Sequence, residues 1–531
     1  MSVQTPRIPA PAARRRLSPS RRAAEHVPAW SRSRWPALLA VALITLLAVP
    51  LHLSELHFHY WVDEGISVGI AGHPLAALPD LLRQDGSPPL YYALLHVWMQ
   101  LFGRGEVATH LLSVGFAIAA VPVAYWAVSG IAGRLTGVYA ALLTAGLPFL
   151  VTYAQETRMY SLILLLSLIV AGAFVRAFAL GRRRWAPVFS VALATALYTH
   201  NWALFLTLAA LAALGWCVWS RPAQERRRLA RDGALAFAGA AVLYLPWAPT
   251  LLYQATHTGA PWASAPTVWS LTQGTYGLTG GRATALVLLL VAGHGLLAGD
   301  RRARGRLVTV AVALAALGFG TLLIAWLYAK ASPAWAERYL AVIAGPLIVL
   351  FAIGLRRAAR FGAVGLALVC LLWITDPIPT ALNTKSNVAT AAAAVRPALG
   401  RGSLVLSTQP EQVPVLHYYL PAVRRFLTPL GAVPDPGIVD WRNALTRFAH
   451  SSPQRVLAPA LAGLAPGQTV ALVLPDVTPR QPQWSQLIRR SSRTWRAYLD
   501  GDRALRFVRR TSTWTATPEV AGVHIVLYRV R

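Results

Sequence analysis

The sequence predicts an all-α polytopic membrane bundle followed by a small extracytoplasmic α/β domain, and three observations predict it. Of 531 residues, 55% are hydrophobic and only 13% charged, against about 25% charged in a soluble domain; the mean hydropathy is +0.47. Apolar runs near the ~20 residues that cross a bilayer recur along the first two thirds of the chain. Residues 377–531 break that pattern and alternate short apolar runs with helix-like stretches, in a length sufficient for an independent core. The net charge of +30 invites a nucleic-acid partner. The arginines, however, lie between spans or are spread through the tail, and no recognition motif accompanies them, so nucleic acid is excluded. Cys217 and Cys370 fall inside apolar runs and give neither a disulfide framework nor metal spacing.

Taken in order, residues 1–35 are rich in Pro, Arg, Ser and Ala and are predicted to be a disordered cytoplasmic segment. No small-residue cleavage site follows the first apolar run, which therefore reads as a signal anchor. Spans are predicted near 36–53, 107–129, 136–152, 160–180, 186–200, 202–219, 233–250, 283–299, 307–328, 338–355 and 361–375, about eleven in all, within a transmembrane domain of 36–376. The segment 88–102 is short and rich in Tyr, Trp and His, so it is predicted to lie in the interface. That choice fixes the topology. It puts 24 basic residues on one side, from the N-terminus, Arg134, Arg182 to Arg184, 221–231, 301–306, Arg356, Arg357 and Arg360. The opposite loops hold six: Arg83, Arg104, Arg158, Arg282, Lys330 and Arg338. By the positive-inside rule the six lie outside. Asp63, Glu64, Asp80, Asp85, Glu106, Glu156, Glu337, His200, the loop 251–282 and the tail join them there. In the tail, Leu404 to Leu406, Val470 to Leu474 and His524 to Tyr528 read as strands, and 440–449 and 484–499 as helices.

Acids are scarce, 20 in all, yet Asp63 and Glu64 stand together about ten residues beyond the first span. Ionisable groups at a membrane are functional candidates by default. The outer loops also hold Asp85 in the run Asp85-Gly86-Ser87-Pro88-Pro89, and cations near helix ends, Arg158 and Arg338. A sugar leaving from phosphate needs its leaving charge stabilised by Arg or Lys, and needs no general acid. A carboxylate must instead take the proton of the attacking hydroxyl. Glycosidases need two carboxyl groups because their leaving group is poor. One base with several cations therefore fits transfer from a lipid-phosphate donor. Neighbours on a helix point about 100° apart, so Asp63 and Glu64 do not both reach one proton. Arg158 has the wrong sign for a helix start and needs another partner. Lys330 joins Arg158 and Arg338 as a donor-phosphate candidate, with membrane snorkelling as its plain alternative. His200, in a tight turn between spans, and Tyr91 and Tyr160 are candidate substrate contacts. Hard cations such as Mg²⁺ or Mn²⁺ favour carboxylates, but two or three acids do not define a site.

Three motifs in order, Asp63-Glu64, then Asp85 to Tyr92 (DGSPPLYY), then Gln155 to Tyr160 (QETRMY), resemble the polyprenyl-phosphate-sugar-dependent glycosyltransferases of the GT-C class. The nearest likeness is to the protein mannosyltransferase-like group, glycosyltransferase family 39 and its bacterial relatives, including the aminoarabinose transferases. The resemblance covers roughly 36–375. It implies a bundle of eleven to thirteen transmembrane helices with interfacial helices in the first outer loop, Asp63 as catalytic base, Glu64 as its acidic neighbour and Asp85 as the acid before the Pro-Pro pair. Eukaryotic members carry His where this chain has Ser87, so the acceptor is not inferred from their protein O-mannosylation. Expected partners are a polyprenyl-phosphate-linked sugar, with mannose first and arabinose-type sugars second, an envelope glycan, lipid or protein acceptor, and membrane lipids. The rivals are a transporter or lipid flippase with a sensory or glycan-binding tail, which would keep its charges within broken spans, and a structural envelope protein that binds glycan.

Overall fold

The computed structural model describes residues 34–298, 304–375, 386–476, 482–511 and 522–531. The disordered stretch expected over 1–35 lies outside these residues apart from its last two, as do Arg301 and Arg302. Each predicted span has a helix at its place. Among the described residues six helices are long and apolar enough to cross a membrane, or up to nine if each of three bent pairs is one span.

Tyr160–Phe174 and Ala341–Arg357 form the centre and are almost wholly buried. They approach closely because Gly345 has no side chain: a Cβ there would lie 2.3 Å from the Leu168 nitrogen. The Gly345 N–H instead donates to Ser167 Oγ at 3.0 Å, the small-residue contact by which membrane helices pack without a hydrophobic driving force. Trp35–Leu53 and Ala223–Tyr244 lie at the periphery and keep most of their apolar side chains exposed, as lipid-facing helices do.

The loop after the first span holds three short helices, Val62–Ala71, Leu78–Asp85 and Leu90–Phe102. The first two are bent by 114°, and both ends of the pair, Asp63 and Asp85, return to the same end of the bundle. Leu90–Phe102 has 13 residues, about 20 Å of helix, short of the ~30 Å hydrocarbon core. It buries Tyr91, Tyr92, Leu95 and Met99 and exposes Val97, Leu101 and Phe102, the one-sided pattern of an interfacial helix.

The tail carries a six-stranded mixed sheet in the order β3-β2-β1-β4-β6-β5. The strands are β1 Leu404–Ser407, β2 Arg425–Thr428, β3 Gly431–Val433, β4 Thr469–Pro475, β5 Leu505–Arg510 and β6 Val523–Val530. β1 pairs parallel with β2 and β4, and the remaining pairs are antiparallel. Alternate residues serve opposite faces. Val405, Ala471, Val473, Ile525 and Leu527 join the core that continues into the bundle. Leu404, Leu406, Val470, Leu472, Val526 and Tyr528 pack under Leu457, Trp495 and Leu499. Sequence periodicity located β1, β4 and β6 and the final helix, Gln483–Gly501. The expected helix over 440–449 is confined to Ala444–Ala449, because Asn443 takes a left-handed conformation at φ 50° just before it.

Candidate active site at the Asp63 end of the bundle

Asp63 and Glu64 occupy the first turn of Val62–Ala71, where the helix dipole favours carboxylates, and they turn to different neighbours. The Asp63 carboxylate lies 3.2 Å from Arg338 and 4.0 Å from Arg158, and its side chain keeps 17% exposure. Glu64 is 1% exposed. Its Oε1 lies 2.7 Å from His110 Nε2 and accepts from the Thr157 N–H at 2.8 Å. Its Oε2 accepts from the Trp61 N–H at 3.4 Å, the back-bond of a capping box. His110 Nδ1 sits 2.9 Å from the Leu56 carbonyl. Both imidazole nitrogens therefore face oxygens. Glu64 ties the first loop to the 155–158 loop, and Asp63 faces the cations.

Arg158 is held by more than charge. It donates to the Asp63 carbonyl at 3.2 Å and to Ser67 Oγ at 3.0 Å, and its own carbonyl accepts from Ser113 Oγ at 3.1 Å. Tyr91, fully buried, reaches Ser113 at 3.2 Å and so stands behind Arg158. The Tyr160 hydroxyl lies 3.5 Å from the Arg158 guanidinium. Arg338 is seated among the Trp61, Trp262 and Tyr339 rings, at 5.5, 5.0 and 5.5 Å, an aromatic cradle that orients a guanidinium. The Nε atoms of both arginines are buried without a hydrogen-bond partner among the described residues, and Asp63 Oδ2 meets the two guanidiniums as an ion pair.

Asp85 ends Leu78–Asp85, and Gly86 turns the chain at φ 94°, a left-handed position that suits glycine. Gln254 donates to the Leu82 and Ser87 carbonyls at 2.8 and 3.1 Å, and Asn201 to the Gly86 carbonyl at 3.0 Å. Desolvation pushes the Asp85 carboxyl above its ordinary range; Ser87 and Arg158 pull it back, and Asp63 adds to the rise. His200 accepts from the Trp202 N–H through Nδ1 at 3.1 Å. Burial, with Arg158 and Arg338 beside it, lowers its pKa to about 3, so it is neutral and carries its proton on Nε2. Its ring lies beside those of Tyr160 and Tyr339.

Neither a protein-family profile nor a curated protein matches this sequence. Solved structures do. ArnT from Cupriavidus metallidurans in its apo state superposes with a TM-score of 0.56 at 13% identity, over 92% of this chain and 97% of that one. The same protein bound to undecaprenyl phosphate gives 0.55 at 14%, over 93% and 98%. The oligosaccharyltransferase AglB from Archaeoglobus fulgidus, in complex with an inhibitory peptide and a dolichol-phosphate, gives 0.53 at 10%, over 84% and 70%. The chain has the GT-C fold.

Within the GT-C fold, Asp63, Asp85, Arg158, Arg338, His200 and Tyr160 converge, with Glu64 and Tyr91 one layer behind. Lys330 is not drawn in: it is exposed at the end of Thr321–Ala331, with Nζ 5.0 Å over the Trp326 ring. No group of three or more His, Cys, Asp or Glu among the described residues converges as metal ligands would. The acids are matched instead to guanidiniums and backbone donors. Sequence reasoning missed Gln254, Asn201, Ser67 and His110, single polar residues in apolar or loop surroundings with no local motif. It also missed Glu411. Gly65, on the Asp63 helix, is pressed against Val415 of the tail domain, where a Cβ would come within 2.6 Å. Just before Val415 in the chain, Glu411 is buried and accepts from Trp484 Nε1 at 3.0 Å and Gln409 Nε2 at 2.9 Å. Desolvation raises its pKa, and the Asp63 charge adds to that rise.

Proposed function

We propose that this GT-C protein is a membrane glycosyltransferase that moves a sugar from a polyprenyl-phosphate donor to an acceptor hydroxyl, with inversion and with Asp63 as general base. The observation that carries the reading is the Asp63 carboxylate set against Arg338 and Arg158, two cations with unpartnered Nε groups among the described residues. Before the donor arrives, Asp63 holds both guanidiniums in position. A donor phosphate offers them stronger, charge-assisted hydrogen bonds and frees the carboxylate. The acceptor oxygen then attacks the anomeric carbon, the bond from that carbon to the phosphate oxygen breaks, and polyprenyl phosphate leaves with the electron pair. Asp63 takes the acceptor's proton, and the arginines stabilise the leaving charge.

Glu64 acts as a positioning residue through the Thr157 N–H and His110. Asp85, on its pinned turn, orients the acceptor. Mannose is the first sugar candidate and an arabinose-type sugar the second; the acceptor is an envelope glycan, lipid or protein. The reaction faces the outside, with a cytoplasmic N-terminus and an extracytoplasmic tail domain, residues 377–531. The likeness to a structure bound to undecaprenyl phosphate supports the donor class.

The test is turnover of labelled polyprenyl-phosphate mannose and arabinose-type donors against a panel of envelope acceptors. Asp63→Asn is expected to lose about 10²–10⁴-fold in rate with an unchanged melting temperature. Near-normal transfer by that variant would remove Asp63 as base, and no turnover with any donor would favour a transporter.

A further inference from the structure

At the other end of the same helices lies a second charged site. Arg338 and Arg356 stand at opposite ends of one central helical run, Glu337–Arg357, which at 1.5 Å per residue separates them by about 27 Å. There a cavity of about 800 Å³ is lined by Arg134, Arg306, Arg356 and Arg357, and none of the described residues lining it is acidic.

The helix ends compound the charge. Arg134–Gly146, Arg304–Ala315 and Ala359–Thr375 all begin at this cavity, and none has an acid in its first turn. Helix starts carry partial positive charge, so cations such as Arg134 and Arg306 are of the wrong sign there. Ala359, which lines the cavity, takes φ 51°, a conformation uncommon for a residue with a side chain. Arg357 is anchored locally, donating to the Gly295 and Ala298 carbonyls at 3.3 and 3.1 Å. The positive-inside bias accounts for arginines on this side, but not for three helix starts and four guanidiniums around one cavity.

We infer that this cavity binds the phosphate headgroup of an anionic phospholipid in the leaflet opposite Asp63. The lining argues for a lipid over a free anion, because Leu135, Leu307, Val310 and Ile353 stand beside the guanidiniums, as a phosphate joined to acyl chains requires. Basic pockets between membrane helices are suited to such headgroups.

The full-length protein is reconstituted in phosphatidylcholine nanodiscs with and without phosphatidylglycerol, extracted gently and weighed by native mass spectrometry. Wild type is expected to retain phosphatidylglycerol, and Arg306→Gln/Arg356→Gln to lose that retention by roughly tenfold or more. A control pair elsewhere on the same side, Arg226→Gln/Arg228→Gln, is expected to retain it. Size-exclusion profiles and sugar transfer in detergent should match wild type for both pairs and so report intact folding. Equal loss in the control pair, or unchanged retention in Arg306→Gln/Arg356→Gln, overturns the site. Saturable binding of inorganic phosphate without retention of phosphatidylglycerol overturns the lipid assignment.

Discussion

At the scale of single residues, Asp63 and Glu64 show how a turn of about 100° along a helix separates two adjacent carboxylates. One meets guanidiniums at the edge of solvent, and the other meets His110 and a backbone N–H in the interior. Arg338 depends on shape as well as charge, since its flat guanidinium lies among three aromatic rings. Arg338→Lys keeps the charge but loses the planar fork. Its donor KM is expected to rise about tenfold, less than for Arg338→Ala, in steady-state assays with varied donor. His200 gives a pH signature. Its folded pKa, about 3, lies below the ordinary 6.5, so the unfolded chain binds the extra proton and stability falls as pH drops from 6.5 towards 3. His200→Gln should flatten that part of a melting-temperature profile and run parallel to wild type above pH 6.5.

At the scale of elements, two helix breaks invite comparison with a transporter. Arg134–Gly146 bends by 52° into Pro148–Ala154, and Val268–Thr279 bends by 90° into the helix from Arg282. The breaks meet each other. A Cβ on Gly280 would lie 2.7 Å from Pro148 Cγ and 2.7 Å from Trp373 Nε1, and that indole donates to the Thr279 carbonyl at 2.9 Å. They are sealed by an indole and a proline ring, where an ion path needs open polar groups. Gly280 also has φ 84°, so Gly280→Ala combines backbone strain with overpacking. It is expected to destabilise by about 1–3 kcal/mol in thermal melts in detergent. The helices Arg134–Gly146 and Pro148–Ala154 and the one from Arg282 were legible as apolar runs of membrane length, whereas Val268–Thr279 fell inside the expected loop 251–282. The bends were not legible: the span expected over 136–152 runs straight through Leu147-Pro148, and Gly280-Gly281 reads as the end of the loop 251–282. The site was half legible. Asp63, Asp85, Arg158 and Arg338 stand out as charges in a chain poor in acids, whereas Gln254 and Asn201 act through backbone carbonyls that no side-chain pattern reveals. Glu411 was hidden by distance along the chain.

At the scale of the whole molecule, the tail domain closes over the first loop. His73 meets Asp435 at 2.8 Å, the Trp441 N–H donates to the Gln84 carbonyl and the Asn443 N–H to the His257 carbonyl. Gly69 lies so close to Gly437 that a Cβ would reach its carbonyl oxygen at 1.9 Å. Gly69→Ala is therefore expected to lift the tail domain off the Asp63 helix. Limited proteolysis should then cut sooner between bundle and sheet, and transfer should fall with the bundle still folded. The Tyr60 N–H donates to the Tyr419 hydroxyl at 2.7 Å across 359 positions of sequence, and that hydroxyl donates onward to Glu106. During synthesis at about 5–20 residues per second, roughly 20–70 s pass between the emergence of these two partners. For that interval the helix bearing Asp63 exists without its cover. A chain that stops before Val415 leaves Tyr60 and Glu106 without the Tyr419 hydroxyl that joins them and the Asp63 helix without Gly437 and Val415 against it.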